Sequence, residues 1–378
     1  MKRGAWVAIT GLLACLAVFL ALRPAADPSY QGKTLSEWID RAASDGGAWG
    51  RRAPKALEQA VSHLGPRALP VLVRKIGDER WLKQYSLFKL QRRLPRFVLS
   101  SHFFATLERK VADDEMRAQS RSFVAARALA SLGTNAEPAL PELMRLLGKQ
   151  NSFVSYSARE ALQGIGRPAL PELLKCLSDP GFANLIAAVQ LIGSIQGLGE
   201  AAASAVPVLC NHLRQGDPDL ARACADTLAQ LHVSPELAVP ALSETLTTAM
   251  QKTDVLLSRK CAEALGTFGA SASNAVPVLC AAFKSTDGIT TEEAARALGR
   301  IGAREDLAVP ALVDYLKVSG SRHHKFAIEG LSGYNGALRQ TVPLLQAALN
   351  DADHDTRAAA QQALARIGLS NKEPLAGQ

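Results

Sequence analysis

A chain of 378 residues that is 48% apolar and 21% charged can build a large core, which excludes global disorder and collagen-like or silk-like classes. Aromatics are only 5% while alanine and leucine dominate, a mixture of small and unbranched helix formers that points to closely packed helices. The net charge of +8 is concentrated, with 17 Lys and Arg against 7 Asp and Glu in residues 51–127, and six cysteines without a CxxC pair exclude a zinc ribbon or a disulfide scaffold.

In chain order, Met1-Lys2-Arg3 precedes an uncharged apolar run of 18 residues, Ala5 to Leu22, which ends at Arg23-Pro24. As a helix it is about 27 Å long, enough for a bilayer core, and the flanking positive charges favour an inside N-terminus. Residues 1–26 are therefore expected to be a transmembrane signal anchor in a bacterial inner membrane, single-pass, with the rest of the chain periplasmic or otherwise extracytoplasmic. Two alternatives stay open: cleavage as a signal peptide, for which Pro24 makes a poor site, and lipidation at Cys15, against which LAVFLAL continues apolar. Residues 27–52 read as a linker and first capping helix, since Thr34 and Glu37 have capping-box spacing ahead of Trp38-Ile39.

From residue 53 onward the chain repeats itself. A helix-like run ending in an apolar residue and Gly closes at Gly65, Gly133, Gly166, Gly199, Gly269, Gly302 and Gly368, with His232 and Asn335 in the same slot. After Gly133 the intervals are all 33 residues except one of 37. The slot calls for a left-handed residue that stops a helix, which Gly adopts freely, Asn tolerates and His accepts. A second helix follows in each unit, announced by Pro70, Pro141, Pro171, Pro207, Pro240, Pro277, Pro310 and Pro343, with leucine two residues later every time. Each unit is an amphipathic hairpin too small to bury its own stripes, so the units must stack. The expected fold is all-α: a right-handed α-solenoid of stacked helical hairpins with a period of about 33, preceded by one N-terminal transmembrane helix.

Within this array, 53–77 is the first repeat, 124–368 the regular repeats with a C-terminal capping helix, and 369–378 a tail. Residues 78–123 form an irregular unit, basic and aromatic-rich, with seven of the twenty aromatics between Trp81 and Phe123. A local bend packed by large side chains is favoured there over a docking site.

The strings AREALQGIGRPALPELLKCL, RKCAEALGTFGASASNAVPVLCAAF and AARALGRIGAREDLAVPALVDYL resemble HEAT repeats, of the short HEAT-like type also found in phycobilisome lyases. The whole layout is similar to a family of membrane-anchored bacterial HEAT-repeat domain-containing proteins. That resemblance implies architecture and placement, and it brings no catalytic residues with it.

Chemistry-bearing constellations are missing from the sequence. No histidine belongs to HExxH, there is no GxSxG, Walker loop or dinucleotide fingerprint, and Cys224 and Cys261 occupy a column filled by alanine in other units. Only Cys176, beside Lys175, hints at an activated thiol. The reading is a non-enzyme without catalytic residues, cofactor or metal, whose solenoid holds a protein partner of unknown identity outside the cytoplasm. Its candidate docking residues on the second helices are His212, Arg214, Glu244, Lys284, Asp314, Tyr315 and Lys317, mixed in sign as suits a protein ligand. One alternative, from the resemblance alone, is a bilin-lyase-like enzyme or chaperone handling a cofactor on a client protein. Another is a polyanion site made by Arg51, Arg52, Arg74, Lys75, Arg80, Lys83, Lys89, Arg92, Arg93 and Arg96, with anionic lipid expected ahead of nucleic acid.

Overall fold

The computed structural model describes residues 27–45, 53–78, 102–149, 152–215, 217–285, 287–318 and 321–368. They fall into two compact units, divided between Ala169 and Leu170.

The first unit opens with a small hairpin, β1 (Ser29–Tyr30) and β2 (Lys33–Thr34), turned by Gln31 and Gly32 at φ 49° and 74°. Thr34 then caps α1 (Leu35–Ser44) with the expected box: the Glu37 N–H donates to Thr34 Oγ1 at 3.3 Å, and the Thr34 N–H to Glu37 Oε2 at 2.7 Å. The Trp38 indole N–H donates to Tyr30 O at 3.1 Å, so this aromatic holds the hairpin to the helix. After α2 (Lys55–Leu64) and α3 (Leu69–Ile76) comes α4, 29 residues from His102 to Ala130, which runs unbroken from the irregular segment into the following repeat. It packs against α1, α3 and α6 (Ser152–Ile165), with α5 (Leu140–Leu147) as its hairpin partner.

In the second unit the hairpins form two layers. First helices α8 (Leu185–Ser194), α10 (Pro218–Leu231), α12 (Val255–Thr267), α14 (Gly288–Ile301), α16 (Ser321–Leu331) and α19 (His354–Arg366) each pack on the next. Second helices α7 (Leu170–Ser178), α9 (Val206–Gln215), α11 (Pro235–Gln251), α13 (Val276–Ala281) and α15 (Glu305–Val318) do the same, and the short α17 (Asn335–Gln340) and α18 (Val342–Ala348) complete the last hairpin. Between the layers lie the leucine columns, including Leu209, Leu242, Leu279, Leu312 and Leu345, all fully buried. This is the all-α stacked-hairpin architecture of an α-solenoid.

The stop column has positive φ, between 51° and 79°, at Gly65, Gly133, Gly166, Gly199, His232, Gly269, Gly302 and Gly368. Asn335 departs from it. There α16 ends early, at Leu331, because Tyr334 turns inward and its hydroxyl donates to Leu298 O at 2.8 Å and to Ala303 O at 3.1 Å; Asn335 instead begins α17. A second difference concerns Pro240 and Pro310, which lie inside helices rather than at their starts. Left-handed turns at Ser234 and Arg304 launch α11 and α15 five residues before these prolines.

Among the described residues no helix is long and apolar enough to cross a membrane. The longest, α4, carries Glu108, Arg109, Lys110, Asp113 and Asp114 within one stretch, and the others are short and amphipathic. This corrects the expected single-pass inner-membrane placement. The apolar run 5–22, with Cys15, lies outside the described residues.

Candidate functional site

The second-helix layer of the second unit collects the residues that the sequence singles out. Arg214 on α9 reaches across to Glu244 on α11, Nε to Oε2 2.7 Å, and both remain substantially exposed. His212, two residues earlier on α9, places Nε2 2.9 Å from Leu177 O and so ties α9 back to α7. Lys284 stands exposed in the 3-10 turn Ala282–Lys284 that extends α13. On α15, Asp314 and Lys317 are exposed with 4.0 Å between Oδ1 and Nζ. Tyr315 stacks on Phe283 with ring centroids 4.8 Å apart and planes within 7°. Burial, helped by the nearby charge of Glu292, pushes the Tyr315 hydroxyl up to about 12, so the phenol stays protonated.

Stacking thus brings together side chains roughly 30 residues apart in sequence. It also shows that some of them are internally committed: His212 and the Arg214–Glu244 pair knit neighbouring helices, while Lys284 and the exposed ends of α15 face solvent. Sequence reasoning missed Phe283, which shares a packing column with leucines, and the exposed line of Pro207, Pro240, Pro277 and Pro310. It also missed Leu237 and Leu307, 47% and 37% exposed at the starts of α11 and α15. The signal was available in the equal spacing of these residues from the prolines.

Of the ten residues expected to make a polyanion site, only Arg74 and Lys75 are described; Arg51, Arg52, Arg80, Lys83, Lys89, Arg92, Arg93 and Arg96 lie outside the described residues. Lys75 is drawn to Asp40 Oδ1 at 3.8 Å, and the same oxygen lies 2.7 Å from Arg121 Nε, so this lysine helps hold α1, α3 and α4 together. Arg74 is exposed.

The first unit carries two grooves of about 620 Å³ each. One lies between α4 and α6, where Phe123 and Tyr156 stack at 5.6 Å beneath Arg127 and Arg159. The other lies between α3 and α5.

None of the described thiols is activated. Cys224 is fully buried and pushed up to about 12 by desolvation, and Cys261, also fully buried, is raised further. Cys176 is raised as well, by burial and then by Glu172 and Asp179, while Lys175 turns to Glu172 at 2.6 Å. The sequence hint at Cys176 fails because burial and the charges of Glu172 and Asp179 all disfavour its thiolate, while Lys175 is engaged by Glu172. Among the described residues no group of three His, Cys, Asp or Glu side chains could hold a metal ion.

Comparison with known proteins follows the architecture. Residues 243–331 match the family model described as HEAT repeats. Among solved structures, the chain is similar to Kap121p (TM-score 0.53, 14% identity), with 90% of this chain and 46% of that chain covered. It is similar to the karyopherin Kap121p bound to the extreme C-terminus of the protein phosphatase Cdc14p (TM-score 0.51, 13% identity, 90% and 46% covered) and to Kap121p bound to Pho4p (TM-score 0.51, 13% identity, 90% and 46% covered). These matches span less than half of the karyopherin, and at such identity they show the fold alone. No curated protein matches the chain.

Proposed function

We propose that the chain is a non-enzymatic scaffold that docks a partner protein on the second-helix surface from α9 to α15. The observation that carries this reading is the surface itself: the four stacked second helices and the turn after α13 present Arg214, Glu244, Lys284, Asp314 and Lys317 together with the Phe283–Tyr315 stack, with exposed prolines and leucines nearer the helix starts. Alternating signs over an apolar and aromatic centre match the makeup of protein interfaces, in which charges select the partner and aromatics anchor it. A single-sign stripe, the footprint of a polyanion binder, is not what these helices offer. The karyopherin of similar fold was solved with Cdc14p and Pho4p bound, a precedent for stacked helical hairpins receiving protein ligands.

Site-specific photocrosslinking in intact cells tests the proposal. A photoreactive residue at Lys284 or Lys317 is expected to capture one discrete protein species, whereas the same residue at Gln362, exposed on α19 in the opposite layer, captures none. Equal capture from both layers, or from neither, contradicts the reading.

A further inference from the structure

The groove between α3 and α5 is lined by Pro66, Leu69, Pro70, Val73, Pro138, Ala139 and Leu146, with Arg74, Glu142 and Arg145 at its polar edge. Its volume of about 620 Å³ falls in the range of pockets that accept a small cluster of apolar groups. Three proline rings in the walls contribute no N–H, so an occupant gains little there by adding a strand or by backbone pairing. Among the described residues no aromatic ring lines the groove, which removes base stacking there. What the walls reward is burial of aliphatic side chains.

The rim adds a sign. Arg145 grips Glu142 in bidentate fashion, Nε to Oε2 2.9 Å and Nη2 to Oε1 2.5 Å, which holds the Glu142 carboxyl below its usual range, first through these hydrogen bonds. The carboxylate is thereby neutralised in place. Arg74 is exposed beside the apolar floor and makes no ion pair among the described residues. Among the described residues, the groove therefore has an aliphatic floor and, in Arg74, one positive charge at its edge without an ion-pair partner.

We propose that this groove takes a short amphipathic helix of a partner protein, seating aliphatic side chains on Leu69, Val73 and Leu146 and placing a carboxylate against Arg74. This rests on the reading of the chain as a protein scaffold, and it adds a second contact, with stated chemistry, in the first unit.

The probe is a fluorescein-labelled Ala/Gln-based helix carrying leucines at i, i+3 and i+4 with flanking glutamates, titrated onto the full chain and read by anisotropy. Matched peptides carry lysine for glutamate or serine for leucine. The expected result is binding of the Leu/Glu peptide, loss with the serine peptide, and a weakening of about tenfold with Arg74→Glu, as for a truncated or reversed interfacial charge. The lysine peptide is expected to bind the Arg74→Glu variant better than the unaltered chain, a gain that misfolding cannot produce. The proposal falls if the Leu/Glu peptide does not bind, or if its affinity is indifferent to Arg74→Glu. It falls equally if anionic phosphatidylserine vesicles, and not the peptide, respond to that change. Photocrosslinking at Lys284 is read separately, so a failure here with capture intact there removes the groove and leaves the scaffold standing.

Discussion

His232 shows how a single residue position is fixed by backbone geometry. It stands where every neighbouring repeat has glycine, adopts φ 51°, and accepts that strain with its ring lying 6.1 Å from Phe268. A second residue-scale device closes the last repeats: Asp351 receives the Asp353 N–H at 2.9 Å and sits 2.7 Å from His324 Nδ1, which pins the start of α16 to the loop before α19. Burial raises the Asp351 carboxyl, but those two bonds and the charges of His324 and Arg357 outweigh it and leave the group below its ordinary 3.8. A carboxyl lowered on folding stabilises the fold above its unfolded pKa and loses that contribution as pH falls through the folded one. Thermal melting of the full chain is thus expected to fall more steeply below pH 3.8 than melting of Asp351→Asn, and parallel curves would contradict the assignment. The Asp351 contact was not legible from sequence, where the residue reads as a helix cap at a unit junction. Asp217 and Asp287 do cap their helices, as that pattern suggests, since each is followed directly by a helix start. Asp351 stands two residues too early, and Asp353 takes the cap.

Helices α14 and α16 meet backbone to backbone. A Cβ on Gly330 would lie 2.6 Å from Ala295 O, one on Gly299 would lie 2.8 Å from Gly330 O, and Gly333 is tighter still against Gly299. Gly330→Ala must therefore push two first helices apart, at a cost of about 1–3 kcal/mol typical of overpacking. Denaturant unfolding of the full chain should show this loss, whereas Gly336→Ala, where only the far end of Glu305 lies nearby at 3.2 Å, should be nearly neutral; comparable losses would contradict the close-packing account. These glycines look unremarkable in the sequence because they fall outside the stop column. The hairpins themselves were legible in outline, since the stop residue, the proline and the leucine two beyond it each have a local physical cause. The helix starts at Pro235 and Glu305 were not, because Ser234 and Arg304 adopt left-handed turns that nothing in a non-glycine sequence announces.

At the scale of the whole molecule, a repeat of about 33 residues converts sequence spacing into a surface: whatever recurs on the second helices is laid side by side. Composition and periodicity were enough for the all-α stacked architecture. They were not enough to separate side chains that join neighbouring repeats, such as Arg214 and Glu244, from those left to meet a partner, such as Lys284, because that distinction is made only when helices face each other. The central claim is that the α9–α15 surface binds a protein. Affinity capture of the full chain beside a variant with Lys284→Glu and Lys317→Glu, both exposed, tests it most directly, with circular dichroism to verify that the helices are retained. The account predicts one stoichiometric partner that is lost or strongly depleted with the reversed charges and regained when complementary charges are reversed on that partner. Undiminished capture by the variant would contradict it.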